Sequence, residues 1–181
     1  VSLFINDTLR ISKYKKNTTV FGNTEYRNKF KLKYINIPLK KIIFQSQNKK
    51  YVEEFVKLEK KRNSDLIELH NRPIYLSYLT NKLKNKTYVL YFHNDPLTMS
   101  GSKNISERIF LLKNCFKIIF NSNWSKRRFL EGMKSDYINS EKLVVINQSA
   151  KKNKINLNKK KKIITFVGKL NKSKGYDLFG N

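Results

Sequence analysis

The stretch from Asp65 to Pro96, DLIELHNRPIYLSYLTNKLKNKTYVLYFHNDP, restricts what this chain can fold into more than any other. Two short apolar runs, Leu66-Ile67-Glu68-Leu69 and Tyr88-Val89-Leu90-Tyr91-Phe92, flank a segment in which Ile74, Tyr75, Tyr78, Leu79 and Leu83 recur at helical spacing. A strand, a crossover helix and a second strand of these lengths make a right-handed βαβ unit with parallel strands. Each run ends in a histidine, then a polar residue and soon a proline, in His70-Asn71-Arg72-Pro73 and His93-Asn94-Asp95-Pro96. Ligands of open α/β sheets bind outside the carboxyl ends of the strands, so both imidazoles are expected at the working edge.

The rest of the chain repeats the alternation. Thr18-Thr19-Val20-Phe21 reads as a strand stopped by Gly22-Asn23, and Tyr34-Ile35-Asn36-Ile37 as a second one closed by Pro38. Positions 51, 52, 55, 56 and 58 are apolar at helical spacing up to Arg62, with Glu53 four residues before Lys57. Asn104 followed by Glu107 resembles a helix start, and this helix runs to about Lys113. Phe116 to Phe120 is the next strand, Asn121-Ser122-Asn123 offers capping oxygens to a helix through Trp124, Phe129 and Leu130, and Leu143 to Ile146 is a further strand. Strands and helices at this interval predict an α/β fold, a Rossmann-like, doubly wound and mostly parallel sheet. Val1 to Tyr14 is expected to be an amphipathic helix leading into a strand, which implies a missing first strand.

Residues 1–149 are therefore expected to form one Rossmann-like domain. The segment 150–162 is polar and strongly basic, with only Ile155 and Leu157 to bury, and reads as a linker. Over 163–181 the strand Ile163 to Val167 and a loop entering a helix at Tyr176 read as the beginning of a second α/β domain.

Charge narrows the partners. Thirty-nine Lys plus Arg against 13 Asp plus Glu give a formal +26, a field that attracts nucleotides, phosphorylated sugars, acidic lipid headgroups or nucleic acid. Many lysines stand beside asparagines, so a general bias toward the two residues accounts for part of the excess. No apolar run approaches the roughly 18 residues that a membrane helix needs, and no secretory signal is seen in a sequence that begins at Val1 and not at a methionine. The expected location is the cytoplasm, with peripheral attachment at the inner face of an anionic membrane as a variant. A single cysteine, Cys115, excludes an internal disulfide, and its neighbours Leu111, Leu112, Phe116 and Ile118 make it a buried structural thiol.

Two sets of residues carry chemistry. His93, at the end of a core strand, is placed to hydrogen-bond a substrate or act as acid or base, or else only to satisfy the turn that follows it. His70 has the same placement, although Asn71-Arg72-Pro73 looks like a turn built for its own backbone. His70, Asn94 and Asp95 are expected to line the cleft beside His93. No third ligand of suitable spacing accompanies the histidines, so no metal is expected. Glu68 lies within its strand and Asp95 in a loop, which gives little support to two-carboxylate hydrolysis. The second set is Gly168-Lys169 with Lys174-Gly175, where glycines, two cations and a helix N-terminus make a diphosphate site. Its spacing matches neither the P-loop nor the dinucleotide fingerprint, and a solvated basic loop is the alternative.

Four pieces in order, Asp65 to Pro73, Tyr91 to Pro96, Ile119 to Trp124 and Phe166 to Asp177, resemble the group-1 family of retaining glycosyltransferases with the GT-B fold. The resemblance runs from about Thr18 to the end. It implies two facing Rossmann-like domains, the first binding mainly the acceptor and the second the nucleotide-diphosphate sugar, with no cofactor. His93 matches the family's active-site histidine, which contacts the transferred sugar. Gly168, Lys169 and Lys174 match the glycine, the usual arginine and the lysine that hold the donor diphosphate. Departures are Lys169 for arginine, Asn147-Gln148-Ser149 for an Asn-Gly turn, and the absence of the early glycine-rich loop and of the glutamate pair of the second domain. The chain is expected to be a fragment, inactive alone, of an enzyme that transfers a hexose to an envelope glycolipid or polysaccharide.

Two rivals remain. One is a non-catalytic module for RNA or DNA, supported by charge but lacking any nucleic-acid motif, so no specific nucleic acid is expected. The other is a degenerate, inactive relative of the transferases. The transferase account requires one imidazole and two ammonium groups to converge on a sugar phosphate. It fails if His93 lies away from the carboxyl edge, or is buried with both ring nitrogens engaged by the protein itself.

Overall fold

A computed structural model of the chain describes residues 2–24, 32–39 and 46–148. Helix α1 (Ser2–Ile11) leads through a 3-10 turn at Lys15–Asn17 into strand β1 (Val20–Gly22), which pairs in parallel with β2 (Tyr34–Asn36), Val20 opposite Tyr34. Then follow α2 (Gln47–Arg62), β3 (Leu66–His70), α3 (Tyr75–Lys82), β4 (Thr87–Phe92), α4 (Ile105–Asn114), β5 (Lys117–Phe120), α5 (Asn123–Leu130) and β6 (Leu143–Val145). Strands β3 to β6 form a second parallel sheet in sequence order. The single sheet expected from the sequence is instead two parallel sheets interleaved with helices, a doubly wound α/β arrangement of the generic Rossmann-like kind.

Burial explains the strand patterns. β4 lies inside its sheet and is buried from Tyr88 to Phe92, so it reads as a continuous apolar run. β3 lies at the edge and alternates, with Ile67 and Leu69 buried and Leu66 and Glu68 exposed. On the face of Ile67 and Leu69, the residues Leu90, Phe92, Ile118 and Phe120 meet Val56 of α2, Leu76 and Leu79 of α3, Leu111 of α4 and Phe129 of α5 in one core. On the other face, the α1 side chain Phe4 lies against Tyr91, with 4.9 Å between ring centroids. Cys115 is buried in the core, and burial pushes its thiol up to about 12, which makes it inert at neutral pH.

Helix ends follow from local chemistry. Asn104 Oδ1 accepts from Glu107 N at 2.9 Å and Glu107 Oε2 accepts from Asn104 N at 3.3 Å, the reciprocal cap that their spacing predicts. Ser122 caps α5 by accepting from Ser125 N at 3.2 Å. Lys57 pairs with Glu54 at 2.7 Å, one turn away, rather than with the Glu53 of the sequence pattern. Buried Arg108 donates to the carbonyls of Phe129 and Glu131 and thereby ties α4 to the end of α5.

Val1–Gln148 form one compact unit. The linker expected over 150–162, the second-domain start over 163–181 and its Gly168, Lys169 and Lys174 lie outside the described residues.

Candidate functional site

Parallel pairing sets His70 opposite Tyr91. His93 follows two residues later, so alternation puts its ring on the same face, just past the carboxyl end of β4. The three rings form a stack: Tyr91 and His93 are 4.3 Å apart at 11°, His70 and Tyr91 are 5.6 Å apart at 16°. Phe4 meets His93 edge-on at 5.1 Å and covers it from α1. Tyr91 turns its hydroxyl away and donates to Ile146 O at 3.0 Å.

The His93 backbone is clamped on both sides. Asn71 Oδ1 accepts from His93 N at 2.7 Å, and Asn121 Nδ2 donates to His93 O at 2.8 Å. Asn71 adopts φ of 55°, in the left-handed region that asparagine tolerates, and its own N donates to Tyr91 O at 2.9 Å. The turn after β3 is thus built for the neighbouring strand as well as for its own backbone. Asn121 Oδ1 in turn accepts from Ser125 Oγ at 2.9 Å, so α5 steadies the clamp.

Both ring nitrogens of His93 are engaged. Nε2 lies 2.9 Å from His70 Nδ1, and Nδ1 lies 2.5 Å from Gln148 Nε2. His70 Nε2 reaches Glu68 Oε1 at 2.9 Å. His93 is 9% exposed, whereas Gln148 at the far end is exposed. Burial, and next the neighbouring His70, lower the His93 pKa to about 4, with Glu68 opposing them, so the ring is neutral at pH 7. His93 therefore lies at the expected edge, but it meets the second condition set against the transferase account: it is buried and both nitrogens are held by the protein.

The other candidates are placed differently from one another. Asn94 is exposed beside His93. Asp95 is turned to structure, since its carboxylate accepts from Leu97 N at 3.0 Å, capping a 3-10 turn, and pairs with Arg128 at 3.2 Å. Glu68 belongs to the histidine chain rather than to a carboxylate pair. Sequence reasoning missed this role, although Glu68 and His70 are two residues apart on one strand and must share a face. It also missed Gln148 and the two clamping asparagines, whose contacts are made across the sheet.

The loops after β3 and β4 are locked together at Gly101, where φ is +92° and an added Cβ would stand 2.5 Å from Ile74 N. Beside this contact is an open groove of about 390 Å³ lined by Pro73, Ile74, Ser77, Ser100, Gly101 and Phe110. It offers apolar surface, serine hydroxyls and Glu107, whose carboxylate is already engaged in the α4 cap. Among the described residues no group of three or more His, Cys, Asp or Glu is placed to hold a metal, and no helix is long and apolar enough to cross a membrane.

In comparisons with protein-family models, curated proteins and solved structures, nothing matches this chain.

Proposed function

We propose that this chain is the acceptor-side part of a retaining, GT-B-type sugar transferase that moves a hexose from a nucleotide-diphosphate sugar to a glycan or glycolipid hydroxyl. The observation that carries the reading is the place of His93, fixed on both sides of its backbone at the carboxyl end of an interior parallel strand. Gly168, Lys169 and Lys174 supply the diphosphate half of the proposal, where fixed cations stabilise the charge that builds on the leaving group. The excess of basic residues suits an acceptor at an anionic membrane surface, where each basic side chain contributes about 1 kcal/mol.

The engaged imidazole defeats the form of this reading in which His93 meets the sugar as the ring now stands, and leaves only a form in which a nitrogen is first released. It serves a sugar only after Gln148 leaves Nδ1. Gln148 is exposed, so the exchange gives up one hydrogen bond of about 1 kcal/mol and regains another to the ligand.

The same engagement favours a second reading, a very basic α/β module that binds polyanions and performs no chemistry. Competition in a protein that carries the complete second domain separates the two. Uridine or guanosine diphosphate at low concentration should displace a bound oligonucleotide if the transferase reading holds. Retention of the oligonucleotide at every diphosphate concentration that leaves its ionic strength unchanged favours the binding module.

A further inference from the structure

We propose that Glu68 and His70 are positioning residues that hold His93 as a single tautomer, with its proton on Nε2 and its lone pair on Nδ1. The polarity starts at the carboxylate. Glu68 Oε1 only accepts, so the His70 Nε2 at 2.9 Å carries a proton. From the other end, the Gln148 amide nitrogen meets His93 Nδ1 as a donor, so the proton of the His93 ring is on Nε2 and is donated to His70 Nδ1 at 2.9 Å. His93 Nδ1 is left as an acceptor. Every contact in the row from Gln148 to Glu68 joins a donor to an acceptor when read in this direction, whereas the reverse direction sets a lone pair of His70 against a carboxylate.

The frame around the row lets the protons respond but not the rings. Tyr91 stacks on both imidazoles, Phe4 closes the His93 ring from α1, and the two asparagines hold its backbone. Among the described residues the titratable side chains at His93 are His70 and, behind it, Glu68 of β3 and Tyr91 of β4, and the positive N-terminal amine also acts on the ring. The Tyr91 hydroxyl is committed to Ile146 O, so it does not compete for the ring nitrogens.

The consequence deepens the transferase reading and rests on it. A ligand that takes the place of Gln148 meets a lone pair, so it must present a hydrogen-bond donor there. Hydroxyl and amine groups fit. A phosphate oxygen at that point is repelled and has to lie elsewhere in the cleft.

Nitrogen-15 NMR of the histidine rings tests the tautomer in the chain itself at pH 7.5, with no sugar or donor present. The expected spectrum shows His93 with a protonated Nε2 and a bare Nδ1. In Glu68→Gln the exposed side chain keeps its size but offers either a donor or an acceptor, so the polarity is lost and His93 becomes a mixture of the two tautomers. Inorganic phosphate should leave the His93 Nδ1 signal in place. A proton on Nδ1 in the unaltered chain overturns the proposal, as does a single unchanged tautomer in Glu68→Gln. Because no turnover is read, these results stand apart from the failure of the transferase reading, which is judged by sugar transfer.

Discussion

His70 Nδ1 lies 2.9 Å from His93 Nε2, so the imidazoles that end two neighbouring strands share one hydrogen bond, and only one of the facing nitrogens carries a proton at a time. This relationship joins the fold to the proposed chemistry. Parallel register brings the rings to one face, Tyr91 stacks them, and the row continues to Glu68 on one side and Gln148 on the other.

The acid behaviour of the protein should reflect His93. An imidazole in the unfolded chain titrates near 6.5, while burial and His70 hold the folded His93 at about 4. Between these values the unfolded chain binds a proton that the folded one refuses, so stability falls as pH drops from about 6.5 to about 4 and this contribution is constant below. His93→Phe keeps a ring on Tyr91 and cannot take the proton. Denaturant midpoints across this range should fall less steeply in the variant, and an equal slope would contradict the assignment.

Gln148→Ala should tighten binding of a hydroxylated ligand at His93. Such a ligand no longer displaces a hydrogen bond of about 1 kcal/mol, which corresponds to up to about fivefold in affinity. Titration followed by the His93 ring signals measures the change. Weaker binding in the variant would show that Gln148 belongs to the ligand site instead of covering it.

Phe120→Ala should cost about 3–5 kcal/mol. The side chain is fully buried, 5.7 Å from the Phe92 ring and 5.3 Å from that of Phe129, with no room for the neighbours to close the gap without moving β4 or α5. Urea denaturation checks this. A loss below about 1 kcal/mol would place Phe120 outside the core.

Gly101→Ala should destabilise by at least about 2 kcal/mol, because the new Cβ would meet the backbone of Ile74 and Pro73 and φ of +92° disfavours any L side chain. It should also part the loops after β3 and β4 and open the groove. An unchanged denaturation midpoint would contradict the close contact.

The element order was legible because apolar periodicity is strong here: the run Tyr88 to Phe92 is an interior strand, and the spacing from Tyr51 to Arg62 is a helix. Asn104 and Glu107 announced their cap. The division into two sheets was not legible, since strands of three residues such as Val20–Gly22 carry no register of their own. At the site, the edge position of both histidines could be read from where the strands end. Asp95 preceding Pro96 was also a cap signal, yet its neighbourhood to His93 suggested the cleft. What a linear reading lacks is the partner across the sheet. Asn71, Asn121 and Gln148 stand 22, 28 and 55 residues from His93 in the chain, and only the parallel register brings them to it.

Sugar transfer by the His93→Ala variant, measured in a protein that carries the complete second domain, tests the account most directly. If, as proposed, the imidazole positions the transferred sugar, turnover from a nucleotide-diphosphate hexose should fall by about 100-fold with the fold intact. Transfer at the undiminished rate would contradict the claim and leave a basic α/β domain whose histidines serve only its own structure.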